Sequence, residues 1–298
     1  MKKIFLALSI LGSLLTISSC AVNKEYNPQK HKFILSDESR KQVLQVDLAN
    51  TQNDWIIKLN VKSRDLQLIA DNKLLISTDN GYREIDRKSL KTTKKFNGKF
   101  RSNMNAIRLD DGSTILAGNS RNGINIYKLD KNDKIIKHIN FPQYRNIRLL
   151  NIDNDGKLMF GCNNNHVVIS DFSKKIYHDI TVAGARHIYE VQKLANGNIL
   201  VANGYGQNIT EINLKNNKVV KEYGGKNHPQ AQKLGFHFFS GMQLMKNGNI
   251  IVANWTGHGA NDSNKGVQLI EFSPNNKVIW HWKNPRRTGS VHNVIVLD

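Results

Sequence analysis

Short apolar runs recur along the chain, and none of them repeats at the helical period. The same phrase returns five times: an apolar strand, a polar Asx-Gly-type turn, and a second apolar strand ending in small residues. It reads LQLIADNKLLIST at 66–78, AIRLDDGSTILAGN at 106–119, LLNIDNDGKLMFGCN at 149–163, VQKLANGNILVAN at 191–203 and MQLMKNGNIIVAN at 242–254. The turns fall at Asp71-Asn72, Asp111-Gly112, Asp155-Gly156, Asn196-Gly197 and Asn247-Gly248, at successive spacings of 40, 44, 41 and 51 residues. Asx-Gly pairs accept positive φ at both positions of a tight two-residue hairpin turn. A repeat of this length built from several short strands predicts a β-propeller.

Each repeat continues with a third strand, such as GINIYKLD (123–130), NITEINL (208–214) or VQLIEFS (267–273), then a polar turn and a fourth strand such as KVVKEYG or KVIWHWK. Four antiparallel strands per repeat make a blade. The two ends supply one more. HNVIVLD (292–298) reads as a first strand that stops before its turn, and 32–60 reads as strands two to four without a first. Joined, they close a six-bladed ring and remove its exposed strand edges. The expected fold is all-β, a six-bladed β-propeller over residues 33–298, with a β-sandwich as the alternative. Trp280 and Trp282, which alternate on an outer strand, are expected to pack between blades.

The N-terminus changes the address. A basic start (Lys2, Lys3), an apolar run from Ile4 to Leu15 and small residues before Cys20 form a secretory signal over 1–19. Ile17-Ser18-Ser19-Cys20 resembles the lipobox of bacterial lipoproteins, in which the chain is cut before the cysteine and that cysteine is acylated. The resemblance implies a lipid on Cys20, a polar tether over 20–32, and a bacterial envelope location. Ala21, in place of the aspartate of inner-membrane retention signals, favours the outer membrane. The formal charge of +19 falls to +17 without Lys2 and Lys3. That balance favours anionic partners: lipid head groups, an anionic small molecule, an acidic glycan or an envelope protein. Nucleic acid is excluded as a partner by the exported address. The even scatter of lysines among many asparagines is also what compositional drift produces. Cys162 is the one cysteine left after Cys20, so no internal disulfide is expected, and its apolar strand marks it as a core residue. A monomer is expected.

In a propeller, loops entering the innermost strands, and those between second and third strands, form the usual ligand face. The first set holds Arg64, Arg101, Arg145, Arg186, His187, His237, His292 and Asn293. The second includes Asp37-Glu38-Ser39-Arg40, Asn203-Gly204-Tyr205 and a long loop from Trp255 through His258 to Gly266. Arginines and histidines converging on one mouth would make an anion funnel, because guanidinium groups grip carboxylate, phosphate or sulfate with paired hydrogen bonds. A register shift of one residue turns any of these side chains to the other face. No compact metal-ligand triad, Ser-His-Asp order, phosphate-binding glycine loop or nucleotide motif is present. No metal and no cofactor are expected.

GVQLIEFSPNNKVIWHWKNPRRTGSVHNVIVLD (266–298), with NGNILVAN-type strand phrases, resembles bacterial six-bladed propellers of the quinoprotein-like and arylsulfotransferase-like superfamily. In the arylsulfotransferase branch a channel histidine accepts a sulfuryl group while His, Arg and Asn hold its oxygens. The resemblance offers His292, His237, Arg186, Arg145 and Asn293 for such roles. The branch's catalytic motifs do not match residue by residue, and its N-terminal domain is missing. The tryptophan-docking signature of quinone-dependent blades is missing too, so no bound quinone is expected. Two functions follow. The favoured one is a binding or scaffold lipoprotein with a basic central face. The alternative is an exported transferase or lyase using a channel histidine. Two histidines and two arginines converging on one cavity would favour the enzyme; side chains pointing apart would favour the scaffold.

Overall fold

The computed structural model describes residues 26–297 apart from Asp71, Lys99, Arg101 and Ala260. Cys20, the signal stretch 1–19, the first part of the 20–32 tether (20–25) and Arg101 therefore lie outside the described residues. Six four-stranded antiparallel sheets form a six-bladed β-propeller. Blade 1 joins the two ends of the chain: Val291–Val296 is its innermost strand, followed outward by Lys32–Asp37, Gln42–Asp47 and Trp55–Lys58. The innermost strands of blades 2 to 6 are Leu66–Ile69, Asn103–Arg108, Leu150–Ile152, Glu190–Lys193 and Phe238–Leu244. Each blade then meanders outward to a half-exposed last strand, such as Ile135–Phe141 or Lys218–Gly224. A short α-helix, Ala231–Leu234, fills the longest spacing between repeats.

The hairpin turns differ from the two-residue form the sequence predicts. Leu194 N–H donates to Asn198 O and Gly197 N–H to Leu194 O, so the loop holds three residues. Only the glycine takes positive φ: Gly112 (79°), Gly156 (74°), Gly197 (87°) and Gly248 (82°). The Asx residue before it stays at negative φ and uses its side chain instead, as when Asn196 Oδ1 accepts from Asn198 N at 2.9 Å. This is a type I turn followed by a left-handed residue, which matches strand twist with a single unusual backbone angle.

The core lies between blades. Phe33 and Leu35 of blade 1 pack with Trp280 and Trp282 of blade 6 and with Val294 of the closing strand. The Phe33 and Trp282 rings meet edge to face at 5.3 Å. Each large apolar side chain so buried contributes roughly 1.5–3 kcal/mol. Around the central channel, carboxamides tie neighbouring blades. Gln67 exchanges two hydrogen bonds with the backbone of Arg108, and Gln243 does the same with Val296. Before blade 1 the chain is pinned to blade 6. His31 is fully buried against Glu271 at 3.0 Å, and Tyr26 donates to the same carboxylate.

Candidate functional site

The segments that lead into the innermost strands gather at one face and surround a cavity of about 150 Å³. Arg64 comes from blade 2, Arg148 from blade 4, His187 and Tyr189 from blade 5, Phe238, Trp255 and His258 from blade 6, and His292 from blade 1. Tyr205 completes the wall. His187 stands at φ 60°, just before the innermost strand of blade 5. It is braced by Gly204, which bridges to Arg186; a Cβ at Gly204 would meet the carbonyls of His187 and Arg186 at 2.3 and 2.4 Å.

Glu38, 1% exposed, is the hub. It follows directly on the strand Lys32–Asp37. Its Oε1 accepts from Arg64 Nη2 at 2.7 Å and pairs with Lys62 at 3.3 Å. Its Oε2 pairs with His292 Nε2 at 2.8 Å and His258 Nδ1 at 3.0 Å. Burial would raise its pKa, yet the bonds and charges of His292, Arg64 and Lys62 together hold the carboxyl far below its usual range. Glu38 is therefore an acceptor only, which puts a proton on His292 Nε2 and leaves the Nδ1 lone pair free. That Nδ1 is buried and has no hydrogen-bond partner. The imidazole is clamped between Tyr189 at 5.4 Å and Trp255 at 5.5 Å, both nearly parallel to it. Burial pushes its pKa down to about 4, with Arg64 and Arg148 adding to the push and Glu38 opposing it.

The rest of the wall is short of partners as well. Tyr189 OH, Trp255 Nε1 and His187 Nδ1 are buried without a hydrogen bond. Arg148, pushed below its ordinary pKa by burial and by Arg64, makes no ion pair or side-chain hydrogen bond among the described residues. Orphaned groups of this kind are rare in native proteins and cost about 1–3 kcal/mol each, so several in one cavity mark a ligand position. Most of them donate. The Nδ1 of His292 accepts. The complement is an anion that also offers one proton. Among the described residues no group of three or more His, Cys, Asp or Glu side chains is placed to hold a metal ion.

Of the residues singled out from sequence, Arg64, His187, His258 and His292 meet in this cavity. Arg186 and His237 line a neighbouring shelf. Arg145 stays on the surface, its guanidinium donating to the carbonyls of Pro142 and Tyr144. Asn293 lies deeper in the channel and donates to Asp65 at 3.3 Å. Sequence reasoning missed Arg148 and Tyr189, and it named Glu38 without a role. Cys162 is buried in its strand, and burial pushes the thiol up to about 12.

Neither a protein-family profile nor a curated relative matches the chain. Among solved structures it is similar to a protein of unknown function from Bacteroides caccae (TM-score 0.74, 16% identity, 90% of this chain and 99% of that one). It is also similar to a chain of a nidogen/laminin complex (TM-score 0.64, 10% identity, 89% and 98%). A third likeness is to a catalytically inactive histidine-to-alanine variant of virginiamycin B lyase from Staphylococcus aureus with quinupristin (TM-score 0.56, 14% identity, 87% and 86%). At these identities the likeness shows the fold, which binding proteins and lyases share.

Proposed function

We propose that this propeller is an exported, envelope-anchored enzyme of the lyase type, held by a lipid on Cys20 and acting on a small anionic substrate. One observation carries the reading: His292 is fixed at Nε2 by Glu38 and presents a free, buried Nδ1 to a cavity where Arg64 and an unpaired Arg148 converge. Three histidines and two arginines around one cavity meet the condition that separates enzyme from scaffold. The fold neighbour inactivated by loss of a histidine agrees with it.

The step is a proton transfer coupled to elimination. The arginines hold the substrate's acid group and take up charge as the neighbouring carbon ionises. His292 Nδ1 removes the proton from that carbon. The electron pair forms a carbon–carbon double bond and expels a β-oxygen. The hydroxyl of Tyr189, kept protonated by burial, gives that oxygen its proton; once product leaves, solvent entering the cavity takes the proton from His292 and restores the one on Tyr189. The depressed imidazole is neutral at physiological pH, and a bound anion, by offsetting Arg64 and Arg148, raises its basicity when substrate is in place.

The test screens carboxylated, sulfated and phosphorylated small molecules and acidic sugars by thermal shift, then follows alkene formation by ultraviolet absorbance. His292→Asn is expected to keep anion binding and lose turnover by roughly 100-fold or more. Glu38→Gln, which removes the positioning carboxylate, is expected to shift the acid limb of the pH–rate profile as well as the rate. Turnover unchanged in His292→Asn sinks the mechanism. Anion binding without turnover of any candidate returns the protein to the binding class.

A further inference from the structure

Beside the cavity lies a broader depression of about 410 Å³, lined by Arg186, Lys226, His237, Gln207 and Tyr205. Tyr205 belongs to both compartments. Its ring is locked by edge-to-face contacts with Phe238 at 4.8 Å, His237 at 5.6 Å and His187 at 5.8 Å. It is thus a fixed partition: His187 and Arg148 line the inner side, Arg186 and His237 the outer.

The outer compartment is cationic and uncompensated. The Arg186 guanidinium lies 4.5 Å over the Tyr205 ring, and neither it nor Lys226 makes a side-chain hydrogen bond or ion pair among the described residues. The Nδ1 of His237 is the partner of the Trp255 carbonyl at 3.1 Å, which leaves Nε2 available. The carboxylate of Asp262, which feels the charge of His237, is already held by Lys265 at 2.6 Å. A strongly basic chain scatters cations over its surface, but it does not need to place them without counter-ions in a concavity that shares a wall with a second unpaired guanidinium.

We infer that this shelf is a second anion subsite, so that the substrate is an elongated molecule with two acid groups, carboxylate, phosphate or sulfate, on a spacer that passes the edge of Tyr205. The inference rests on the anion-binding reading of the inner cavity. The group that reacts sits inside against Arg64, Arg148 and His292. The second group lies outside on Arg186, with Lys226 and His237 beside it, and fixes the direction in which the molecule enters.

The test measures binding of linear dicarboxylates of increasing length to the purified full chain by calorimetry, each beside the monocarboxylate of the same length. At one length the diacid is expected to bind roughly tenfold more tightly than its monoacid, the yield of one further paired charge at about 1.4 kcal/mol. Arg186→Ala, an exposed position, is expected to erase that excess and leave monoacid binding unchanged. Arg148→Ala is expected to weaken both. Equal binding of diacid and monoacid at every length, or an excess that survives Arg186→Ala, overturns the second subsite. Diacid binding that depends on Arg186 while monoacids never bind overturns the inner-cavity reading and leaves the shelf standing. No binding by either class overturns both.

Discussion

Asp65 and Glu190 face the central channel with no ion pair among the described residues. Asp65 accepts from Asn105 Nδ2, Ala106 N and Asn293 Nδ2, each at 3.3 Å. Glu190 accepts from Gln192 and the Met242 N–H at 2.8 Å and from Asn151 at 3.1 Å. Burial raises both carboxyls, and the charge of Glu190 helps bring Asp65 up to about 7. In the pH range from about 4 to about 7 the folded protein keeps a proton at Asp65 that the unfolded chain has released, so this contribution to stability is lost as pH rises through that range. Asp65→Asn removes the dependence. Its Tm is expected to gain on that of the parent steadily between pH 4 and 7, whereas parallel Tm curves would refute the assignment. His292, depressed to about 4, works in the opposite sense, because the unfolded chain takes up the proton first as pH falls. That slope is common to both proteins and cancels in the difference. Residues are also where sequence reading was weakest. Arg145 and Arg148 lie three apart in one loop, and the choice between them depends on Tyr144, Ile147 and Leu149 being buried, which turns Arg148 toward the mouth. Periodicity cannot reveal that in a segment without a regular period. Glu38 shows the same limit: its partners His258 and His292 are 220 and 254 residues away.

Elements were the most legible level. Strand pairs, their spacing and the shared blade all follow from alternating apolar runs and punctuating glycines. The turn type was the detail that escaped, because an Asx-Gly pair fits both a two-residue loop and a three-residue loop with one left-handed position. The structure supplies its own control. Asn72 holds φ 57° at the place where other repeats have glycine. Gly197 has open space where a Cβ would go, so Gly197→Ala tests the backbone alone. It is expected to cost about 1 kcal/mol by chemical denaturation, from the left-handed conformation. Gly197→Asn is expected to cost less, since asparagine tolerates that region. Equal costs for the two would mean that the turn relaxes to another form.

At the scale of the molecule, stability depends on closing the ring. Val291–Val296 pairs with Lys32–Asp37 along its length and carries Val294 and Val296 into the core between blades 1 and 6. A chain ending at Ser290 keeps five complete blades but uncovers Phe33 and Leu35, the strand edge beside them, and the place of His292. It is expected to lose cooperative thermal unfolding and to self-associate, as read by calorimetry and size-exclusion chromatography. A sharp unfolding transition near the parent Tm would show that the closing strand is dispensable. The closure was readable from sequence because the two terminal fragments are complementary parts of one repeat.

The first strand also sets an orientation. It begins at Lys32, where Leu297 N–H donates to its carbonyl, and ends at Asp37, beside the Glu38 hub. Six residues of strand span roughly 20 Å, so Tyr26 and His31, fastened to Glu271, lie on the far side of the disc from the cavity. Tyr26, the first described residue, therefore sits at that back face. A lipid on Cys20 would hold the propeller by its back, as a stalk holds a dish, with the open bowl turned away from the bilayer toward solutes arriving from the opposite side.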